Sequence, residues 1–99
     1  QTKCLKFGNQ VHFVKDNLFP TPPLFAAIQQ ASGTGWQEMY KVFNMGHRME
    51  IYVSPARVNE VIDIARSFGI DAQQIGYTAH ADSNHLTLTD PLGNRHAYT

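Results

Sequence analysis

Met39-Tyr40-Lys41-Val42-Phe43-Asn44-Met45-Gly46-His47-Arg48-Met49-Glu50-Ile51-Tyr52-Val53 places an amphipathic segment, an Asn-x-Gly turn and an alternating segment in immediate succession. Trp36, Met39, Tyr40 and Phe43 recur at i, i+3, i+4 and i+7, which is one face of a helix. After Gly46 the period drops to two, with Met49, Ile51 and Val53 on one side and Arg48, Glu50 and Tyr52 on the other. This predicts a helix over 36–43 and a strand over 47–53. The polar Asn44-Met45-Gly46 corner between them offers backbone N–H groups and an amide side chain to a ligand oxygen. It is the best candidate for chemistry in the chain.

Working outward, Val11-His12-Phe13-Val14-Lys15 is β-branched and aromatic and reads as a strand, ended by Asp16-Asn17. Thr21-Pro22-Pro23 is a helix start, with Thr21 as cap and Pro22 at the first position, where a missing N–H costs nothing. Leu24, Ile28 and Ala31 form the expected buried stripe of that helix, with Phe25 beside it, and Ser32-Gly33 ends it. Thr34 to Gln37 fits a capping box for the next helix. Ser54-Pro55 opens a third, in which Val58, Val61, Ile62, Ala65 and Phe68 keep helical spacing up to Gly69. Ala72 to Tyr77 reads as a strand and Ala79 to Asn84 as a polar connection. Leu86 to Thr89 and Arg95 to Tyr98 flank Asp90-Pro91-Leu92-Gly93-Asn94 as a hairpin. The order predicts an α/β (α+β) fold, a mixed sheet flanked by helices, in a single domain over 1–99.

Composition narrows the function. The chain has 99 residues and a formal net charge of zero, with eight Lys plus Arg and eight Asp plus Glu. Those cations are scattered along the sequence, so neither nucleic acid nor an anionic membrane is an expected partner. One cysteine, Cys4, excludes an internal disulfide, and no apolar run approaches the roughly 20 residues of a membrane span. An intracellular, cytoplasmic setting is expected. The chain begins at Gln1 without an initiator methionine and reads as a piece of a longer polypeptide.

Other groupings are simpler. His80-x-Asp82-x-x-His85 has ligand-type residues, but no zinc pattern accompanies it and solvated loop residues explain it; no metal ligand is assigned. His12, His47 and His96 fall on predicted strands or their ends, where a lone histidine is ordinarily half-exposed. Cys4 has no histidine partner in the pattern of a nucleophile. Trp36, Tyr40 and Phe43 read as core, and Glu60 and Asp63 as a solvated helix face. At Asn44-Met45-Gly46-His47-Arg48 two readings stand: a helix C-terminal turn that needs Gly46 for its backbone angle, and a ligand-binding corner.

Taken together, Pro22-Pro23-Leu24-Phe25, Glu38-Met39-Tyr40 and Phe43-Asn44-Met45-Gly46 resemble the carboxy-terminal domain of the phosphoribosylformylglycinamidine cyclo-ligase (AIR synthetase) family. The helix over Ser54 to Gly69 and the following Ile75-Gly76 fit the same order. The resemblance covers most of 11–78 and is loose over 79–99. It implies a two-domain, homodimeric enzyme of purine synthesis that uses ATP and Mg2+, bound mainly by an amino-terminal domain. In the implied reaction ATP phosphorylates the formamide oxygen of formylglycinamidine ribonucleotide, and the amidine nitrogen displaces phosphate to give aminoimidazole ribonucleotide.

The resemblance further implies that this chain closes the active site, with Asn44, Gly46, His47 and Arg48 toward substrate or phosphate and no residue assigned a catalytic role. The family pattern continues Asn-x-Gly-x-Gly, whereas His47-Arg48 occupies the last two positions here. The isolated 99 residues are expected to be inactive and to hold no cofactor. The alternatives are a superfamily relative with a different substrate, and a non-catalytic ligand-binding or dimerisation module.

Overall fold

The computed structural model describes all 99 residues. β1 (Val11–Lys15) is central: β2 (Gly76–His80) pairs with it antiparallel on one side and β3 (His85–Thr89) parallel on the other. β4 (Arg95–Tyr98) closes the hairpin on β3, giving a mixed sheet of order β2-β1-β3-β4. Three helices, α1 (Pro23–Ser32), α2 (Trp36–Val42) and α3 (Val58–Ser67), accompany it, so the α+β class expected from the sequence holds. Single 3-10 turns precede β1 at Lys3–Lys6 and α3 at Pro55–Arg57.

One face of the sheet carries the core. Phe13, Leu86, Leu88 and Tyr98 point to it, and Met39 and Tyr40 of α2, Cys4, Leu18 and Met45 close over them. Trp36 and Phe43 pack at its margin, as helical spacing required. On the opposite face His12 stacks on its register partner His85 with ring centroids 3.9 Å apart, and its Nε2 meets the Thr87 hydroxyl at 2.9 Å.

Helix starts depart from the expected caps for local reasons. A residue preceding proline is pushed out of the α region. Pro22, which precedes Pro23, accordingly sits at ψ 144° and α1 begins one residue later than Thr21-Pro22 implied. The Thr34–Gln37 capping box does not form: the Thr34 hydroxyl is taken by Ser32 Oγ at 2.8 Å, and Gln37 donates instead to the Ala97 carbonyl of β4 at 3.1 Å. α1 turns Phe25 and Ile28 toward the core, while Leu24 is 65% exposed and Ala31 is exposed, so the expected stripe is rotated. In α3, Val58, Val61, Ile62 and Ala65 are half-buried, whereas Phe68 lies past its end, 78% exposed.

Two strand predictions are corrected. β2 begins at Gly76 and runs through Ala79-His80, not over 72–77. Residues 73–75 are held by Asn17 and Gln73 side chains across the chain end of β1, and the Asp16 and Asn17 N–H groups both donate to the Ile75 carbonyl, so a regular ladder has no room there. Residues 47–53 join no strand, and 48–53 make no backbone–backbone hydrogen bond. The segment lies over the core face of β1 instead of along the free outer edge of β2 or β4. The expected apolar face is not buried: Met49 and Ile51 are 80% and 58% exposed, and Tyr52 is exposed as well although its ring meets Phe13 edge-on, while only Glu50 turns partly in, to Lys15.

The β3–β4 loop is built on Asp90. This buried carboxylate accepts the Leu92 and Asn94 N–H groups at 3.0 and 2.9 Å and the His96 ring at 2.9 Å. Burial opposes its ionisation, but the His96 ring and those two N–H groups outweigh it and hold the carboxyl below the usual range.

Candidate functional site

The corner after α2 is assembled by its own polar groups. Asn44 Oδ1 accepts the Gly46 N–H at 2.8 Å and the Asn44 carbonyl accepts the His47 N–H at 3.0 Å. Between them Met45 adopts φ 55° and Gly46 φ 89°, and the Met45 side chain is driven into the core. A non-glycine residue in the left-handed region carries a local energetic cost. Gly46 is required twice over, because a Cβ there would also lie 2.7 Å from Pro22 Cγ of the α1 start.

All four residues singled out in the sequence lie at this corner, in different settings. Asn44 and Gly46 are exposed, with the Asn44 side-chain oxygen committed to the turn. Arg48 is exposed and has no carboxylate partner. His47, in contrast, is buried: its Nε2 accepts the Phe19 N–H at 3.1 Å, and its Nδ1 has no partner in hydrogen-bonding geometry. Burial lowers the His47 pKa, and the nearby Asn44 and Met45 carbonyls oppose this without reversing it. The ring therefore stays neutral, as the accepting Nε2 requires.

His47 makes folding acid-sensitive with a definite sign. A base whose folded-state pKa is depressed costs stability once protonated, so its contribution is complete above its ordinary value of 6.5 and declines as pH falls below it. Asp90 adds a second loss lower down, since its stabilisation is present above 3.8 and disappears as pH falls through its depressed folded value. The melting temperature is expected to fall in two stages on acidification. His47→Gln, which keeps an acceptor for Phe19 N–H, should remove the first stage and leave the second.

The corner opens onto a groove of about 960 Å³ between the amino-terminal turn, β1 and residues 41–52. Lys3, Lys41 and Arg48 line it, and none of them has an acidic partner. Cations dispersed in sequence are thus gathered around one depression, which sequence spacing did not reveal. Glu50, the one carboxylate lining the groove, is paired with Lys15, which lies on the core face of β1 at 4% exposure. Neither Glu50 nor Lys15 stood out in the sequence. The signal was faint: a Lys closing a β-rich run, and a Glu in an apolar alternation.

No three His, Cys, Asp or Glu side chains converge on a metal-sized site, and His80, Asp82 and His85 do not do so. Cys4 is a buried free thiol whose pKa burial pushes up, the opposite of an activated nucleophile. No helix is long and apolar enough to cross a membrane.

Residues 4–89 match the family described as AIR synthase related protein, C-terminal domain. The chain belongs to this family. The match extends past the 11–78 span that carried the sequence resemblance, through the whole of β3. Among curated relatives, the chain is similar to the phosphoribosylformylglycinamidine cyclo-ligase of Staphylococcus carnosus, 34% identical over 71 residues, covering 72% of this chain and 21% of the relative. The cyclo-ligase of Bifidobacterium animalis subsp. lactis is 36% identical over 70 residues, 71% of this chain and 20% of the relative. That of Methanocaldococcus jannaschii is 35% identical over 74 residues, 75% and 21%. The chain therefore spans about a fifth of the length of these relatives.

Proposed function

We propose that this chain is the carboxy-terminal domain of a two-domain, ATP-dependent cyclo-ligase that converts formylglycinamidine ribonucleotide to aminoimidazole ribonucleotide in purine synthesis. The similarity to named cyclo-ligases supports the reaction class. The observation that carries the site is a coincidence at one corner: Met45 at φ 55° beside a buried histidine nitrogen without a partner, at the edge of a groove with three uncompensated cations. Strain and unsatisfied polar groups cluster where a binding surface must be held in shape.

In this reading the Asn44–Arg48 corner receives phosphate or substrate oxygens. Arg48 supplies a bidentate charge-assisted contact, and Gly46 keeps the backbone accessible. Phosphoryl transfer needs positioning and charge stabilisation more than covalent help, and an exposed guanidinium just past the turn can supply the charge. Magnesium does not fit the residues present, since the groove has a single carboxylate and Lys15 and Tyr52 already occupy it. The metal and most of the nucleotide site belong, in this reading, to the amino-terminal domain of the parent, which also forms its homodimer.

Substrate-dependent ADP release by the full-length parent, with aminoimidazole product in equal amount, is the expected result. ATP turnover that ignores formylglycinamidine ribonucleotide would overturn the assignment in favour of a relative with another substrate. Within an active parent, Arg48→Ala is expected to raise the KM for the ribonucleotide about tenfold or more, the value of one charge-assisted contact. Asn44→Ala should act differently. Loss of the Oδ1 bond to Gly46 N–H is expected to lower stability by about 1 kcal/mol, visible as a reduced melting temperature.

A further inference from the structure

Glu50 has no role in the corner just described, yet both of its carboxylate oxygens are held at the groove. Its Oε1 lies 2.5 Å from Lys15 Nζ, and its Oε2 accepts the Tyr52 hydroxyl at 3.0 Å. Lys15 is itself fixed by the Gln1 carbonyl and side-chain amide oxygens at 2.7 and 2.9 Å. Tyr52 stays a donor, because burial and then the Glu50 charge push its hydroxyl pKa far up. The Cys4 thiol, the neutral His47 ring and the Gln1 amino group also feel the Glu50 charge. About a quarter of the Glu50 side chain remains open to the groove (24%). The lone pairs of Glu50 that Lys15 and Tyr52 leave free can accept from a further N–H donor in the groove.

We propose that Glu50 is the proton acceptor for an amidine-type nitrogen nucleophile bound in this groove, with Lys15 and Tyr52 as its positioning residues. The proposal rests on the cyclo-ligase reading and adds to it the group that takes the proton. As the nitrogen lone pair forms the C–N bond to the formyl-derived carbon, the C–O bond to the phosphoryl group breaks and its electron pair leaves with phosphate. The proton carried by the attacking nitrogen passes to a Glu50 oxygen, which becomes a carboxylic acid and returns the proton to solvent. Lys3, Lys41 and Arg48 line the same groove, where they can take up the charge of a departing phosphate, so acceptor and cations share one depression.

The test uses the full-length parent with ATP and formylglycinamidine ribonucleotide. Glu50→Gln keeps an acceptor oxygen for Tyr52 and is expected to lower kcat about 100-fold or more, the usual contribution of general base catalysis, with both KM values within threefold. Because this variant leaves the Lys15 charge without its counter-ion, Lys15→Met/Glu50→Gln is measured beside it. If Glu50 takes the proton, the double variant melts near wild type and stays as slow as the single. A folded double variant that regains turnover to within threefold of wild type would overturn the proposal and make Glu50 a structural partner of Lys15. A wild-type parent that leaves the ribonucleotide unconsumed would instead overturn the cyclo-ligase reading.

Discussion

Gly76→Ala is expected to be the most destabilising single methyl addition in this chain, lowering stability by about 3 kcal/mol or more, at the upper end of overpacking effects. Gly76 opens β2 and pairs with Lys15 at the end of β1. A Cβ built on it would fall inside the Val14 carbonyl oxygen and crowd the Val14 carbon and Lys15 Cα, all of them backbone atoms. A side-chain obstacle can swing aside; a central strand already paired on both flanks cannot. Relief would have to come from parting β1 and β2, which also carries the paired Ile75 contacts with Asp16 and Asn17. For a domain of this size the loss corresponds to a melting temperature lower by roughly 12 °C or more. Gly33→Ala is the control: its φ of 70° makes alanine unfavourable, but open space surrounds it, so a cost of about 1 kcal/mol is expected. Equal losses at the two sites would mean that backbone angle, not the close approach to Val14, dominates.

Gly76 also marks where the sequence was legible and where it was not. Elements decided by local chemistry were readable: β1 from its β-branched run, α2 from the Trp36–Phe43 face, the stop of α1 at Gly33, and the hairpin around Asp90. Elements decided by competition for partners were not. The 47–53 alternation is as regular as that of β3, but an alternating segment becomes a strand only if a free edge is offered to it. Residues 48–53 lie over the core face of β1 and not along the free edge of β2 or β4, so they are left without a ladder. The candidate corner divides the same way. Asn44 and Gly46 announce a turn through residue type. The burial of His47 and the gathering of Lys3, Lys41 and Arg48 around one groove depend on how distant segments pack.

Lys15 and Glu50 are the extreme case of a feature invisible in sequence, and their energetics are expected to be strongly non-additive. Glu50→Ala should lower stability by about 3 kcal/mol, because it strands an ammonium group that is 4% exposed on the core face of the central strand. The Gln1 oxygens that also hold Lys15 Nζ limit the damage without supplying a counter-charge. Lys15→Met should cost less, about 1 kcal/mol, since the Glu50 left behind is 24% exposed, can be hydrated, and retains the Tyr52 hydroxyl. In Lys15→Met/Glu50→Gln no buried charge remains and a methionine fills the space beneath the groove, so stability is expected within about 1 kcal/mol of wild type. Chemical denaturation of the four proteins measures the coupling directly. Summed single losses that equal the double loss would mean that the pair is solvated and contributes nothing of its own. A double variant more stable than either single would show that Lys15 and Glu50 are coupled and that apolar packing holds β1 equally well without the pair.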